Sequence, residues 1–157
     1  MMATAHTLVA GAIAANVGNP ALALPLAFAS HFLLDSIPHW DFGTNWRKRT
    51  KLSTGVFAIT DTVVGLTAAW IFFSNTVPPL ILAACLILSL VPDWLEAPWY
   101  IFFADQKHTG PKINATPLEK MTYGVYTLTN TTHTKAPFPW GLISQIATVT
   151  FFLLVLR

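Results

Sequence analysis

The sequence predicts an all-α integral membrane protein, a single helical bundle of about five membrane helices with a short first one. Two observations carry this. The 157 residues are 54% hydrophobic and only 10% charged, against about 25% charged in an ordinary soluble domain. The charges are also confined, with no Asp, Glu, Lys or Arg from Met1 to Leu34, from Thr62 to Pro92, or from Ala136 to Leu156. A chain this short has too little interior to hide so much apolar surface, so part of that surface faces lipid. The formal charge of +2 is too small and too sparse for a nucleic-acid footprint. A single cysteine, Cys85, excludes an internal disulfide framework and any Cys-rich zinc module.

A spanning helix needs about 20 largely apolar residues. Gly18-Asn19-Pro20 breaks the first charge-free stretch, which predicts a short helix over about 4–17 and a second over about 21–37, ending before Pro38. The third span covers about 52–73. Ser74-Asn75-Thr76 and Pro78-Pro79 then turn the chain into a fourth span, about 80–103. A fifth covers about 138–156. Between the last two lies a polar segment at about 104–137, rich in Thr, Lys and Pro. It reads as a cytoplasmic loop with one helical piece around 118–125. The whole chain, 1–157, reads as one domain.

Orientation follows from the basic residues. Arg47, Lys48, Arg49 and Lys51 follow span two, and Lys107, Lys112, Lys120 and Lys135 follow span four, so eight of nine fall on one side. The positive-inside rule makes that side cytoplasmic, with the N-terminus inside and Arg157 outside, in a multi-pass protein of the cell (inner) membrane. Trp40, Trp46, Trp99 and Trp140 mark the cytoplasmic boundary and Trp70 the opposite one. The N-terminus has no basic n-region and a histidine in its first turn, against a cleaved signal peptide.

Ionisable side chains inside a bilayer cost about 2.5–3.5 kcal/mol or more each, so they mark function. His6 opens span one; His31 and Asp35 share a face of span two; His39 and Asp41 follow Pro38. Asp61 lies in span three, Asp93 and Glu96 in span four, and His133 just before span five. At 1.5 Å per residue, His31, Asp61 and Asp93 lie about 10, 13 and 15 Å from the cytoplasmic face. His6, His39, Asp41 and His133 sit at its mouth, so all share one layer.

Neutral imidazole and carboxylate are the ligands zinc and related divalent ions accept, and such an ion offsets the charge of buried acids. His6, His31, Asp35, His39, Asp61, Asp93 and His133 are therefore candidate ligands for one or two divalent ions, zinc or manganese. Asp41 or Glu96, left uncoordinated, is the candidate general base. Bland alternatives stay open: Asp61, between Thr60 and Thr62, also suits an interhelical hydrogen-bonding acid. Asp93, after Pro92, suits backbone groups freed by that proline. Asp41 suits a cap, and His108 a solvated loop residue.

The run His31-x-x-x-Asp35-x-x-Pro38-His39-x-Asp41, with His6 near the start, resembles the predicted membrane-bound metal-dependent hydrolases of bacteria and archaea. It is more distantly similar to zinc-dependent phospholipase C and the S1/P1 nucleases. The resemblance implies that His6, His31, Asp35 and His39 ligate metal. It places the later family histidine, near a Thr-His-Ser element, at His133 in Thr132-His133-Thr134. It implies metal-assisted hydrolysis of a phosphodiester or other ester in a lipid.

The leading expectation is thus a membrane-embedded metal-dependent hydrolase of a lipid or lipid-linked phosphoester at the cytoplasmic face. Its partners are membrane lipids and a lipid-like substrate, with homo-oligomer or larger complex left open. Two rivals remain. A proton or metal-ion transporter would use the same His and Asp residues but needs polar residues through the far half of the membrane. A non-enzymatic subunit of a larger membrane complex would use them to bind lipid, pigment or a partner helix.

Overall fold

A computed structural model describes residues 1–41, 49–104 and 110–156. Trp46, Arg47, Lys48, Lys107, His108 and Arg157 lie outside the described residues. Among those described, the chain forms six α-helices and no strand. They are α1 (Ala3–Asn16), α2 (Pro20–Ser36), α3 (Lys51–Phe73), α4 (Pro79–Pro98), α5 (Pro117–Asn130) and α6 (Trp140–Val155). A π-helical segment, Trp99–Phe103, continues α4.

Three helices start on caps visible in the sequence. Asn19 accepts from the Ala21 N–H at 3.0 Å ahead of Pro20, Thr50 from the Ser53 N–H at 3.2 Å, and Thr116 from the Glu119 N–H at 3.2 Å. Each satisfies an amide that the first helical turn leaves without an intrahelical partner. The expected loop at 104–137 differs most from the structure, since its short helical piece extends to the full length of α5. Pro117 in the first turn and the Thr116-x-x-Glu119 cap start α5 there. An edge-to-face aromatic contact, with Trp99 4.8 Å from Tyr123, ties α5 to the end of α4.

α1 is the centre of the bundle and packs against α2, α3, α4 and α6. Ten of its fourteen residues are buried, mostly Ala, Gly and Val, as expected of a helix apolar all round. Small residues let its neighbours approach closely: a Cβ added at Gly65 of α3 would lie 2.7 Å from the Thr4 Cα. α3, by contrast, buries only Gly65 and Ala69 of its 23 residues. α3, and α4 with its π extension, are long and apolar enough to cross a membrane, whereas the apolar α6 is shorter.

α1, α3 and α6 run one way and α2 and α4 the other, so the bundle has two distinct ends. At one, Ala3 meets Asp61 and Lys51 reaches the Ile101 carbonyl; at the other, Gly11 lies against Phe73 and Asn16 bonds to the Leu156 carbonyl. The first is where the polar residues gather.

Gly65→Ala should destabilise the bundle by about 1–3 kcal/mol through overpacking against α1. Gly55→Ala, with nothing within 4 Å of the added Cβ, should be neutral or slightly stabilising. Thermal unfolding in detergent reads both, and equal behaviour of the two variants would contradict the close α1–α3 crossing.

Candidate metal centre

Asp35 lies at the centre of the polar end and is 1% exposed. The last turn of α2 places it one turn after His31 on the same face, and their side chains meet at 3.1 Å (His31 Nε2 to Asp35 Oδ2). His6, from the second turn of α1, brings its Nε2 to 3.2 Å from Asp35 Oδ1. After Pro38 ends the helix, His39 turns back with Nε2 3.9 Å from the same oxygen. His133 completes the set, Nε2 3.2 Å from Asp35 Oδ2.

His133 arrives by backbone pairing. The carbonyls at the end of α2 lack intrahelical partners, and Asp35's accepts from the Thr134 N–H at 2.9 Å. The His39 N–H then donates to the Thr134 carbonyl at 3.0 Å, and the Ala136 N–H to the His39 carbonyl at 2.8 Å. This strap, residues 133–136, lies alongside the end of α2 as a single parallel bridge between His39 and Lys135. Gly141 lets α6 lie over it, since a Cβ there would sit 2.5 Å from the Trp40 nitrogen and 2.7 Å from the Ala136 carbonyl oxygen.

Two of the rings have their tautomer fixed. His31 Nδ1 lies 2.7 Å from the Ser89 carbonyl oxygen and His39 Nδ1 2.8 Å from that of Ile37. A carbonyl only accepts, so in each ring Nδ1 carries the hydrogen and the neutral ring presents a bare lone pair at Nε2. Those lone pairs face the lone pairs of Asp35. His6 Nε2, His39 Nε2 and Asp35 Oδ2 are buried without a hydrogen bond; the 3.2 Å approaches are close in distance but not aligned for one. Acceptors crowded on one point in this way suit a cation, and the Met1 amine on Asp35 Oδ1 is one such group already in place. His6 and His31 stack with centroids 4.1 Å apart, so the two rings would repel if both were imidazolium.

Among the described residues, the potential ligand atoms form two groups, His6, His31 and Asp93, and Asp35, His39 and His133, each within 4.8 Å of one another. Asp93 Oδ1 lies 3.6 Å from His31 Nε2. Each oxygen of Asp35 faces one histidine of either group, so this carboxylate lies between the two. The Met1 amine also contacts Asp35 Oδ1. Burial pushes the His133 imidazole down to about 4 despite the pull of Asp35, so it is neutral near pH 7, as a ligand must be. Asp41 stands 3.5 Å from His39 Nε2 and 3.9 Å from Lys135 Nζ. Burial raises its carboxyl, but His39 and Lys135 outweigh that and hold it below the usual carboxylate range.

Two expected participants lie apart from these groups. Asp61 accepts from the Ala3 N–H at 2.6 Å, the Thr4 N–H at 3.3 Å and the Thr4 hydroxyl at 2.6 Å. It caps α1 from the neighbouring helix, where the helix dipole favours a negative charge. Glu96, also buried, accepts from the Tyr100 hydroxyl at 3.1 Å on Oε2, while Oε1 has no hydrogen bond. Asp41, Asp61, Asp93, Glu96 and His133 all border one cavity of about 610 Å³. Tyr100 and Lys135 border it too. Tyr100 was legible as the residue one turn after Glu96; the place of Lys135 depends on the strap.

No family model, curated protein or solved structure matches the chain.

Asp61→Ala should cost about 0.5–2 kcal/mol of stability, as loss of a helix cap does, while the metal content of the folded protein stays at the wild-type level. Elemental analysis beside thermal unfolding reads this, and metal loss from a folded Asp61→Ala protein would make Asp61 a ligand after all.

Proposed function

We propose that the chain is a multi-pass protein of the cell membrane, N-terminus inside, and a metal-dependent hydrolase of a lipid or lipid-linked phosphoester at the cytoplasmic face. The observation that carries this is the convergence of four imidazole Nε2 atoms on the buried Asp35 carboxylate, two with their lone pairs directed by backbone carbonyls. Such outer carbonyl partners are what orient histidines that bind metal. The membrane part rests on α3 and α4, whose outward faces carry Val63, Val64, Ile71, Phe72, Ile87 and Leu95. Exposed apolar residues in such number mark a surface that contacts a membrane or a partner.

His6, His31, Asp35, His39, Asp93 and His133 would hold one or two ions. A divalent ion such as zinc or manganese supplies, when bound, a Lewis acid and an acidified water. The chain's own residues do the rest. Glu96 is the better of the two candidate bases, because one oxygen is held by Tyr100 and the other has an unused acceptor. Asp41 lies beside His39 and Lys135, while the His39 ring is oriented by the Ile37 carbonyl at Nδ1. Burial at the cavity floor keeps bulk water from competing with these contacts.

Transport is less well supported. The other half of the core is built from Val9, Ala10, Ile13, Leu82 and Leu86, which offer an ion no polar step.

The test is turnover of a short-chain phospholipid by detergent-purified protein, before chelation, after it, and after reloading with zinc or manganese. Activity should vanish on chelation and return with metal. Asp35→Asn should abolish it, and Glu96→Gln should lower kcat roughly 10²–10⁴-fold with metal content unchanged. Turnover that survives chelation, or an Asp35→Asn protein as active as wild type, would overturn the reading.

A further inference from the structure

The cavity beside the metal groups is more than a floor for chemistry. Its walls are α3 on one side and α4 with the π segment on the other. These helices make little contact with each other: α3 leans on α1, and α4 on α1 and α2. At 610 Å³ the cavity falls in the size range of sites that enclose a whole small molecule, about 300–1,000 Å³. Its lining residues Phe57, Ile59, Trp94 and Ile101 are also 40–56% exposed on the outside of the bundle. The space therefore opens sideways through the apolar surface of the two helices, and inward it reaches Asp93 and His133.

The cations lie at one rim. Lys51 Nζ crosses from the start of α3 to the Ile101 carbonyl at 2.9 Å. Lys135 approaches from the strap, and the Arg49 guanidinium stands over the Phe57 ring at 5.2 Å. All three border the cavity. The carboxylates that share it have their own partners: Asp61 caps α1, Glu96 accepts from Tyr100, Asp93 faces His31, and Asp41 lies between His39 and Lys135. The rim is left suited to an anion, while the opening behind it is suited to a hydrocarbon chain.

We propose that the cleft between α3 and α4 seats a phosphate-headed lipid, its acyl chain entering sideways between the helices and its phosphate held by Lys51, Lys135 and Arg49 beside the metal groups. A free phosphate would leave the apolar walls uncovered, and a neutral lipid would bring no charge to a rim that carries three cations. The π turn contributes directly: it carries Tyr100 and Ile101, both of which line the cleft, and such wide turns recur at functional sites. The inference deepens the hydrolase reading and rests on it for the place of the scissile bond, though lipid capture is measurable without turnover.

The test is native mass spectrometry of the purified protein with a diacyl phosphonate analogue of phosphatidic acid, which resists hydrolysis. Diacylglycerol of the same chains and inorganic phosphate are compared, and metal content is measured on the same samples. One phosphonate lipid should be retained saturably, at least ten-fold tighter than diacylglycerol and undisplaced by inorganic phosphate. Lys51→Gln with Lys135→Gln should weaken it ten-fold or more. Ala58→Trp, which fills the cleft from an exposed wall position, should abolish it with metal content unchanged. Equal binding of phosphonate lipid and diacylglycerol, displacement by inorganic phosphate, or full binding to Ala58→Trp would overturn the proposal. Metal held without lipid selection would refute the cleft and leave the hydrolase reading standing; lipid selection without metal would do the reverse.

Discussion

A carboxylate buried at the centre of an apolar bundle is the constraint on which this structure turns. Asp35 is all but sealed from solvent, and an isolated charge there costs several kcal/mol even after relaxation. The fold answers by aiming imidazoles from α1, α2, the turn after α2, and the strap before α6 at its two oxygens. Each of these elements is held in place independently. Asp61 caps α1 at the required height, the Ser89 carbonyl fixes the ring of His31, and strap amides occupy carbonyls at and beyond the end of α2. Polar order at this end is matched by small-residue packing in the rest of the bundle, where α1 is surrounded by its neighbours.

The two requirements explain each other. A short central helix of Ala, Gly and Val gains little from side-chain burial, so its position depends on close approach and on the trans cap from Asp61. That same cap brings His6 within reach of Asp35. Close packing on α1 also leaves α3 little contact with α4, and the gap between them is the cleft that reaches Asp93 and His133. Stability and access are thus properties of one arrangement.

Much of this was legible from residue order. Charge-free stretches and Gly/Pro punctuation locate five of the helices to within about two residues at most boundaries; the end of α4, where the helix changes to a π turn, is the main exception. The grouping of His31, Asp35 and His39 follows from spacing on one helix end, and that of His6 and Asp93 from depth in alternating helices. What depends on distant pairing was not legible. The caps of α1 and the strap join residues 58 and 99 positions apart in the chain, and no local period encodes them. Hence Asp61 read as a ligand, with an interhelical acid as its rival, and His133 was placed only by resemblance and by its site at the loop's end. α5 was under-read for another reason: its many threonines mask a helical pattern, although the Thr116-x-x-Glu119 cap was present.

The central claim is that these imidazoles, with Asp35, bind a divalent ion. X-ray absorption of the zinc-loaded protein in detergent tests it most directly. The account predicts a shell of nitrogen and oxygen ligands at about 2.0–2.1 Å, without sulfur, and outer-shell scattering from two or three imidazoles per zinc that falls away in His31→Ala. A shell of water or detergent oxygens with no imidazole scattering, unchanged in that variant, would contradict it.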